Sequence, residues 1–127
     1  ESKMTIDRYI DQCVVVANER KFVSALIVPD FQALEAYANQ NGIAFASHEE
    51  LCRKPEIEEF LHNRIDTLQQ DLSDYERIKH FILLPKAFSI ESGELTNTLK
   101  VKRNVVYKRY ADMIDQLYRK AEQNFKP

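Results

Sequence analysis

The sequence predicts an α+β fold, in which a small sheet of about three strands has helices packed on it. Two apolar runs, residues 13–17 and 22–28, are separated by four polar residues and have the pattern of a β-hairpin. A third apolar run at 80–86 predicts another strand, and helical patterns fill the interval and the C-terminal end. Because a hairpin replaces strict alternation of strands and helices, the order favours α+β over a doubly wound sheet.

The composition is that of one globular domain, which we expect to span residues 1–127. Charged residues make up 30% of the chain and hydrophobic residues 44%, and two glycines with four prolines argue against linkers. No apolar run approaches the roughly 20 residues that a membrane span needs. The charged N-terminus does not resemble a signal peptide, and the first residue is not Met. We therefore expect a piece of a longer cytoplasmic protein, with peripheral membrane contact of the parent left open.

The first helix is predicted directly after the hairpin. Pro29 ends the second strand, and Asp30 is a suitable N-cap for a helix over residues 31–40. Apolar residues within this range follow helical spacing, and the Asn41–Gly42 pair is a typical helix stop.

The clearest helical pattern extends over residues 57–75, where apolar side chains recur three or four positions apart. Pro55 suits the first turn of a helix, and the glutamates around it complement the helix dipole. We expect one amphipathic helix of about five turns that packs on the sheet. Its apolar stripe consists of Ile57, Phe60, Leu61, Ile65, Leu68, Leu72 and Tyr75.

The C-terminal part begins with the third strand, at 80–86, and a short fourth strand is predicted at 88–90. A turn follows in which Gly93 is free to adopt a positive φ. A long helix is then predicted over residues 101–123. We expect its buried face to consist of Val106, Tyr110, either Met113 or Ile114, Leu117 and Ala121.

Several kinds of site are excluded by residue types and spacing. Cys13 and Cys52 lie 39 positions apart and are interpreted as two reduced, partly buried thiols. With two glycines, the chain has no glycine-rich nucleotide loop of the Walker or Rossmann type. The glutamate pairs at 49–50 and 58–59 are interpreted as solvated charges at helix starts. The histidines share no metal-ligand spacing, so no metal site is predicted; they are His48, His62 and His80.

Basic residues concentrate at the C-terminal end. Residues 86–127 carry nine basic and five acidic side chains, whereas residues 1–85 carry nine basic and fifteen acidic ones. Lys100, Lys102 and Arg103 crowd together where a turn is predicted to become a helix, although a helix start disfavours cations. One interpretation is a solvated basic helix start. The other is an anion or phosphate contact, for which a lysine on a glycine- and threonine-containing turn is well suited.

Three stretches resemble a known family. "GELTNTLKVKR" at 93–103 is similar to the lysine motif near the C-terminus of adenylate-forming enzymes, most closely to the long-chain fatty acid–CoA ligase branch. In that branch the pattern is roughly Gly-x-Leu-Thr-Pro-Thr-Leu-Lys-x-Lys-Arg. "VVVANERKFVSALIVPDFQAL" resembles the hairpin that follows the hinge of these enzymes, and "SDYERIKHFILLPKAFSIESGELTNTLK" continues the similarity. The resemblance covers essentially the whole chain.

The resemblance implies a mobile C-terminal lid domain. The missing N-terminal domain would bind ATP, Mg²⁺ and the fatty acid, and CoA would attack the acyl-adenylate after the lid swings. Lys100 matches the catalytic lysine of adenylate formation, which bridges the carboxylate and the α-phosphate. Lys102 and Arg103 match a basic pair, with supporting, docking or CoA-phosphate roles. Gly93, Thr96 and Thr98 match the loop that aims the lysine.

The chain departs from the family pattern at two positions. Asn97 replaces a common proline, which implies a less rigid loop, and Leu99 stands where the wider superfamily often has glycine. The family's hinge and nucleotide motifs are expected before Glu1. The resemblance therefore implies a domain that is inactive alone, has no cofactor bound by itself and has the N-terminal domain of the same polypeptide as its partner.

Two alternatives to the ligase fragment stay open at this point. A free-standing anion or nucleic-acid binding module would use the basic C-terminal third, but the net charge of −2 and the lack of an RNA-binding aromatic motif argue against it. A protein-interaction domain is the other alternative. An isolated lid domain could self-associate, and this self-association could be mistaken for the activity of an interaction domain.

Overall fold

A computed structural model describes residues 4–17 and 22–124 of the chain. The chain divides into two compact units, Glu1–Ala87 and Phe88–Pro127. Within its described residues, the first unit contains a three-stranded sheet and three α-helices, preceded by a short 3₁₀ helix at Met4–Ile6. The second unit contains a turn-rich segment and two α-helices among its described residues.

The sheet confirms the predicted hairpin and third strand. Strand β1 (Ile10–Val16) pairs antiparallel with β2 (Val23–Pro29), and β2 pairs parallel with β3 (Ile78–Leu83), so β2 is central. The central strand is buried from its second residue onward, and Ser24 is its one buried polar residue in an otherwise apolar sequence. The predicted turn at 18–21 lies outside the described residues.

Three α-helices lie between β2 and β3 in the chain. They are α1 (Phe31–Gln40), α2 (His48–Arg53) and α3 (Pro55–Leu68). The prediction for α1 is confirmed at both ends, and the Asp30 carboxylate accepts a hydrogen bond from the Ala33 N–H at 3.2 Å. α2 confirms the helix start expected at the 49–50 glutamate pair, although the sequence analysis gave no bounds for this short helix.

The core of the first unit joins the sheet to these helices. Fully buried side chains from β2, α1, α2 and α3 belong to one hydrophobic cluster, and they include Ile27, Leu34, Leu51, Ile57 and Leu61. Each such side chain contributes about 1.5–3 kcal/mol of hydrophobic stabilisation. This burial confirms that the apolar stripe of α3 packs inward. Neither cysteine forms a disulfide within the part of the chain that the structure describes; Cys13 is buried and Cys52 is half-buried.

The predicted C-terminal extension of α3 is wrong. The helix ends at Leu68, and the buried Gln69 side chain accepts a hydrogen bond from the Ile78 N–H and donates one to the Ile78 carbonyl, each at 2.9 Å. Gln69 thus pairs with the start of β3 and does not continue the apolar stripe. Tyr75, at the far end of the predicted stripe, is 81% exposed in a 3₁₀ turn at Asp74–Glu76.

The second unit corrects two further predictions. Residues 88–90 form no strand, and the Gly93 N–H instead donates to the Ile90 carbonyl in a turn where Gly93 has a φ of +84°. The long helix predicted over 101–123 is divided into α4 (Arg103–Arg109) and α5 (Ala111–Asn124), with Tyr110 between them.

The choice left open for the buried face of the last helix is resolved. Ile114 is buried, whereas Met113 is 40% exposed. Tyr118 is also buried, although the sequence analysis did not include it. Among the described residues, no helix is long and apolar enough to cross a lipid bilayer.

Candidate functional site

Four of the six predicted site residues lie on a small hairpin, residues 94–102, that we call the lysine hairpin; they are Thr96, Thr98, Lys100 and Lys102. Leu95 and Val101 form an antiparallel bridge. The Lys102 N–H donates to the Glu94 carbonyl at 2.8 Å, and the Thr96 N–H donates to the Lys100 carbonyl at 2.8 Å. Lys100 therefore belongs to the hairpin, and α4 begins only after it. The predicted helix start at Val101 is wrong because Val101 pairs with Leu95.

The tip of the lysine hairpin is a tight turn of residues 96–99. The Leu99 N–H donates to the Thr96 carbonyl at 2.8 Å, and Leu99 itself has a left-handed φ of +64°. A type I turn followed by a left-handed residue is a common three-residue hairpin loop, and its third position favours glycine. The Thr96 hydroxyl accepts from the Lys100 N–H at 3.1 Å and lies 3.0 Å from the Thr98 hydroxyl. Both threonines thus lie beside the Lys100 backbone.

Lys100 is exposed on the second arm of this hairpin. Within residues 4–17 and 22–124, its ammonium group has neither a hydrogen bond nor an ion pair. A flexible four-carbon stem carries this compact charge, which suits contact with an external anion. The arrangement can therefore present one lysine to a phosphate or carboxylate that another surface supplies.

The other predicted residues flank this position. Lys102 is exposed, and its carbonyl accepts from the Val105 and Val106 N–H groups as α4 begins. Arg103 is the first residue of α4 and is also exposed. Gly93 lies just before the hairpin and provides the left-handed turn that leads into it. The structure thus brings the six predicted residues into one continuous segment, and their individual roles stay predictions.

Glu94 is the residue of this segment that the sequence analysis missed. Its side chain is buried, its Oε1 accepts from the Ser92 hydroxyl at 2.6 Å, and its Oε2 lies 3.3 Å from Arg109 Nη1. The sequence indicates only weakly that Glu94 is buried, because one acidic residue beside a glycine turn is normally a solvated charge. Its partner Arg109 lies 15 positions away, at no spacing that indicates a pair.

The Glu94 carboxylate also affects Tyr110, the residue between α4 and α5. Burial raises the pKa of the Tyr110 phenol, the negative charge of Glu94 raises it further, and Arg109 acts in the opposite direction. The phenol is therefore protonated at neutral pH and can donate a hydrogen bond towards the carboxylate. Arg109 and Tyr110 thus both meet Glu94 where α4 ends.

A divalent cation does not fit this part of the chain. Among the described residues, no group of three or more histidine, cysteine or carboxylate side chains comes together in a way that could hold a metal. Mg²⁺ prefers several oxygen ligands in octahedral geometry, usually carboxylates and substrate phosphates. The described residues of this domain therefore do not provide a set of ligands for Mg²⁺.

Sequence comparison identifies the family. The model of the AMP-binding enzyme C-terminal domain matches residues 1–122. The long-chain-fatty-acid–CoA ligase FadD15 of Mycobacterium tuberculosis is 34% identical over 121 residues, which are 94% of this chain and 20% of that protein. Human long-chain-fatty-acid–CoA ligase 1 is 35% identical over 99 residues, which are 76% of this chain and 14% of that protein. The chain thus spans a fifth or less of these relatives.

Solved structures share the fold. The adenylation domain of a carboxylate reductase from Mycobacterium chelonae superposes with a TM-score of 0.74 at 25% identity, covering 93% of this chain and 17% of that one. A didomain of a carboxylic acid reductase from Segniliparus rugosus, solved with AMP, gives 0.76 at 22% identity, covering 97% of this chain and 16% of that one. The predicted fold and the resemblance are both confirmed: the chain belongs to the AMP-binding enzyme C-terminal domain family.

Proposed function

We propose that residues 1–127 are the C-terminal lid domain of an AMP-forming long-chain fatty acid–CoA ligase, in which Lys100 is the catalytic lysine of acyl-adenylate formation. The observation that carries the proposal is the exposed Lys100 ammonium, which has no partner among the described residues, on a hairpin of this family. The names of relatives more than 30% identical support the choice of long-chain fatty acids and CoA as substrates.

In this proposal the chain contributes one charge to chemistry that takes place in a partner domain. A fatty acid carboxylate oxygen attacks the α-phosphorus of ATP, the bond to the β-phosphate oxygen breaks, and pyrophosphate leaves. Lys100 contacts the carboxylate and an α-phosphate oxygen, and it stabilises the negative charge that builds up in the transition state. The CoA thiol then attacks the acyl carbonyl and AMP leaves, a step that does not require Lys100.

The residues around Lys100 have supporting roles in the proposal. Thr96 and Thr98 hold the tip through their hydroxyl groups, and Gly93 permits the turn that precedes the hairpin. Lys102 and Arg103 assist docking or contact a CoA phosphate. The partner domain is the N-terminal part of the same polypeptide, and the chain alone is expected to be inactive. We expect the parent enzyme in the cytoplasm.

The substitution Lys100→Ala in the full-length enzyme tests the proposal. Pyrophosphate release driven by fatty acid and ATP is expected to fall about 10²–10³-fold, because one positioned electrostatic contact is lost. Thioester formation from supplied acyl-adenylate and CoA is expected to stay near the wild-type rate. Lys108→Ala is the matched control, since Lys108 is an exposed lysine of α4 outside the hairpin. Equal losses in both half-reactions would contradict the assignment of Lys100.

The nucleic-acid alternative is favoured only by the charge distribution. Residues 86–127 carry a formal charge of +4, but the whole chain carries −2. A nucleic-acid binding module would bind tightly, with an affinity that falls steeply as salt rises. We expect no shift of RNA or DNA in a gel at physiological salt, and a tight, strongly salt-dependent complex would favour the alternative.

A further inference from the structure

Glu94 is a buried carboxylate at the base of the lysine hairpin, and only 3% of its surface is exposed. Burying an ionised group is costly unless it is paired and hydrogen-bonded. A glutamate at a solvated turn would carry no such cost, so its inward position needs a structural reason. Among the described residues of the second unit, that reason lies in three connections that converge on Glu94.

The first connection leads back along the chain. The single proton of the Ser92 hydroxyl has two acceptors within reach, Glu94 Oε1 at 2.6 Å and the Ser89 carbonyl at 3.0 Å, and the charged carboxylate oxygen is the closer one. The Ser89 hydroxyl in turn accepts from the Ser92 N–H at 3.0 Å. These bonds close the turn that precedes the hairpin and fix the direction in which residue 94 leaves it.

The second and third connections join Glu94 to residues that follow it in the chain. The Glu94 carbonyl accepts from the Lys102 N–H, which closes the base of the hairpin two residues after Lys100. The Glu94 carboxylate meets Arg109 Nη1 at 3.3 Å, at the last residue of α4. Glu94 therefore joins the incoming turn, the base of the hairpin and the end of the helix that follows it.

Within residues 4–17 and 22–124, the tip has no comparable anchor of its own. Residues 97–100 are exposed, and the hydrogen bonds of the tip in this part of the chain connect hairpin residues only to one another. The direction in which the hairpin presents Lys100 must therefore be set at the base of the hairpin. A displacement of about 1 Å of a catalytic group can cost roughly 10²-fold in rate, so the anchoring of the base affects catalysis.

We propose that Glu94 is a positioning residue for Lys100, and that its carboxylate, held by Ser92 and Arg109, sets the direction in which the lysine hairpin presents the ammonium. This inference rests on the proposed function, since it assigns Glu94 to the half-reaction that Lys100 serves. Glu94 does not touch substrate; it acts through the hairpin.

The test compares Glu94→Gln with Glu91→Gln in the full-length enzyme. Gln keeps the size of the side chain and can still accept from Ser92, but it loses the ion pair with Arg109. Glu91→Gln removes the same charge from an exposed turn position three residues earlier. We expect Glu94→Gln to lower acyl-adenylate formation roughly 10-fold or more and to spare thioester formation from supplied acyl-adenylate. The control variant is expected to retain both rates.

A double variant distinguishes positioning from general damage. If Glu94 acts through Lys100, Glu94→Gln combined with Lys100→Ala loses no more activity than Lys100→Ala alone. Additive losses, equal losses in both half-reactions, or no loss in Glu94→Gln would each overturn the inference. Arg109→Gln removes the same ion pair from its half-exposed side and should give the same result if Glu94→Gln does not fold.

The single Lys100→Ala variant separates this inference from the proposed function. If Lys100→Ala selectively loses adenylate formation and Glu94→Gln does not, only the role of Glu94 is wrong. If Lys100→Ala itself shows no selective loss, the proposed function fails, and the inference fails with it.

Discussion

At the scale of single residues, the tip of the lysine hairpin combines two local costs at Leu99. Its backbone is left-handed, with a φ of +64°, and its large apolar side chain is 66% exposed. A non-glycine residue in this region is destabilised by about 1–2 kcal/mol relative to the right-handed conformation. The same geometry gives a physical reason for the glycine that the wider superfamily often has before the catalytic lysine.

Replacing Leu99 with glycine should therefore stabilise the hairpin. We expect Leu99→Gly to raise the free energy of unfolding by up to about 1 kcal/mol, because glycine adopts positive φ without the Cβ clash. Urea denaturation measures the change. Leu99→Ala is the control, since alanine removes the exposed side chain but keeps the backbone penalty. If both variants have the same stability, backbone strain at this position is not significant.

The burial of Cys52 determines how readily its thiol reacts. Burial raises the pKa of its thiol to about 11, compared with about 8.5 for a free cysteine. The reactive species is the thiolate, so alkylation of the folded chain at pH 8 should be at least roughly a hundredfold slower than that of an exposed thiol. The rate should keep rising with pH towards 11.

The measurement uses a Cys13→Ala variant, in which Cys52 is the remaining thiol. Iodoacetamide labelling is followed between pH 7 and 10, with the chain unfolded in urea as the reference. Labelling of the folded chain that levels off near pH 9, as expected for the unfolded chain, would show that Cys52 is not shielded by burial.

The candidate site was only partly predictable at this scale. Local residue types predict the basic cluster around Lys100 and the turn at Gly93, whereas the catalytic role expected of Lys100 is implied by the family resemblance. Glu94 was not predictable, because what distinguishes it from a solvated glutamate is an ion pair with Arg109 and burial in the folded second unit. Neither feature follows from spacing along the chain.

At the scale of elements, Gln69 determines where α3 ends and how β3 begins. Its buried side-chain amide hydrogen-bonds both the N–H and the carbonyl of Ile78. The Arg77 guanidinium donates to the Gln70 and Leu72 carbonyls, each at 3.0 Å. These bonds satisfy polar groups in the connection that a continued helix would otherwise satisfy. The end of α3 therefore depends on side chains that fold back on the chain.

The substitution Gln69→Leu should destabilise the chain by about 2–4 kcal/mol. It fills a similar volume but leaves the Ile78 N–H and carbonyl without their partner, and each unsatisfied buried group costs about 1–3 kcal/mol. Thermal or urea unfolding measures the difference from wild type. Gln70→Leu is the matched control, because Gln70 is exposed and contributes only its backbone carbonyl. Equal stability of the two variants would mean that the Gln69 bonds are not significant.

Elements governed by local signals were predicted, and those governed by tertiary contacts were not. The Asp30 cap and the Asn41–Gly42 stop fixed α1, and apolar runs fixed the hairpin. In contrast, the apolar period continues past Leu68, so the end of α3 became visible only through Gln69. The division between α4 and α5 likewise coincides with the contacts of Arg109 and Tyr110 with Glu94.

At the scale of the whole molecule, the chain belongs to the C-terminal domain family of AMP-binding enzymes and spans a fifth or less of its ligase relatives. Within the described part of the chain, the Lys100 ammonium has no anionic partner. The basic end, with a formal charge of +4 over residues 86–127, favours approach to the anionic phosphates of a nucleotide. The activity that we propose is therefore a property of the complete enzyme.

In the function that we propose, Lys100 serves the first half-reaction alone. The most direct test is the ratio of the two single-turnover rate constants, adenylate formation and thioester formation, in wild-type and Lys100→Ala full-length enzyme. We expect this ratio to fall by about 10²–10³ in the variant, because only the first transition state loses a stabilising charge. A ratio that stays at the wild-type value would contradict the assignment of Lys100 to adenylate formation, whatever the absolute rates.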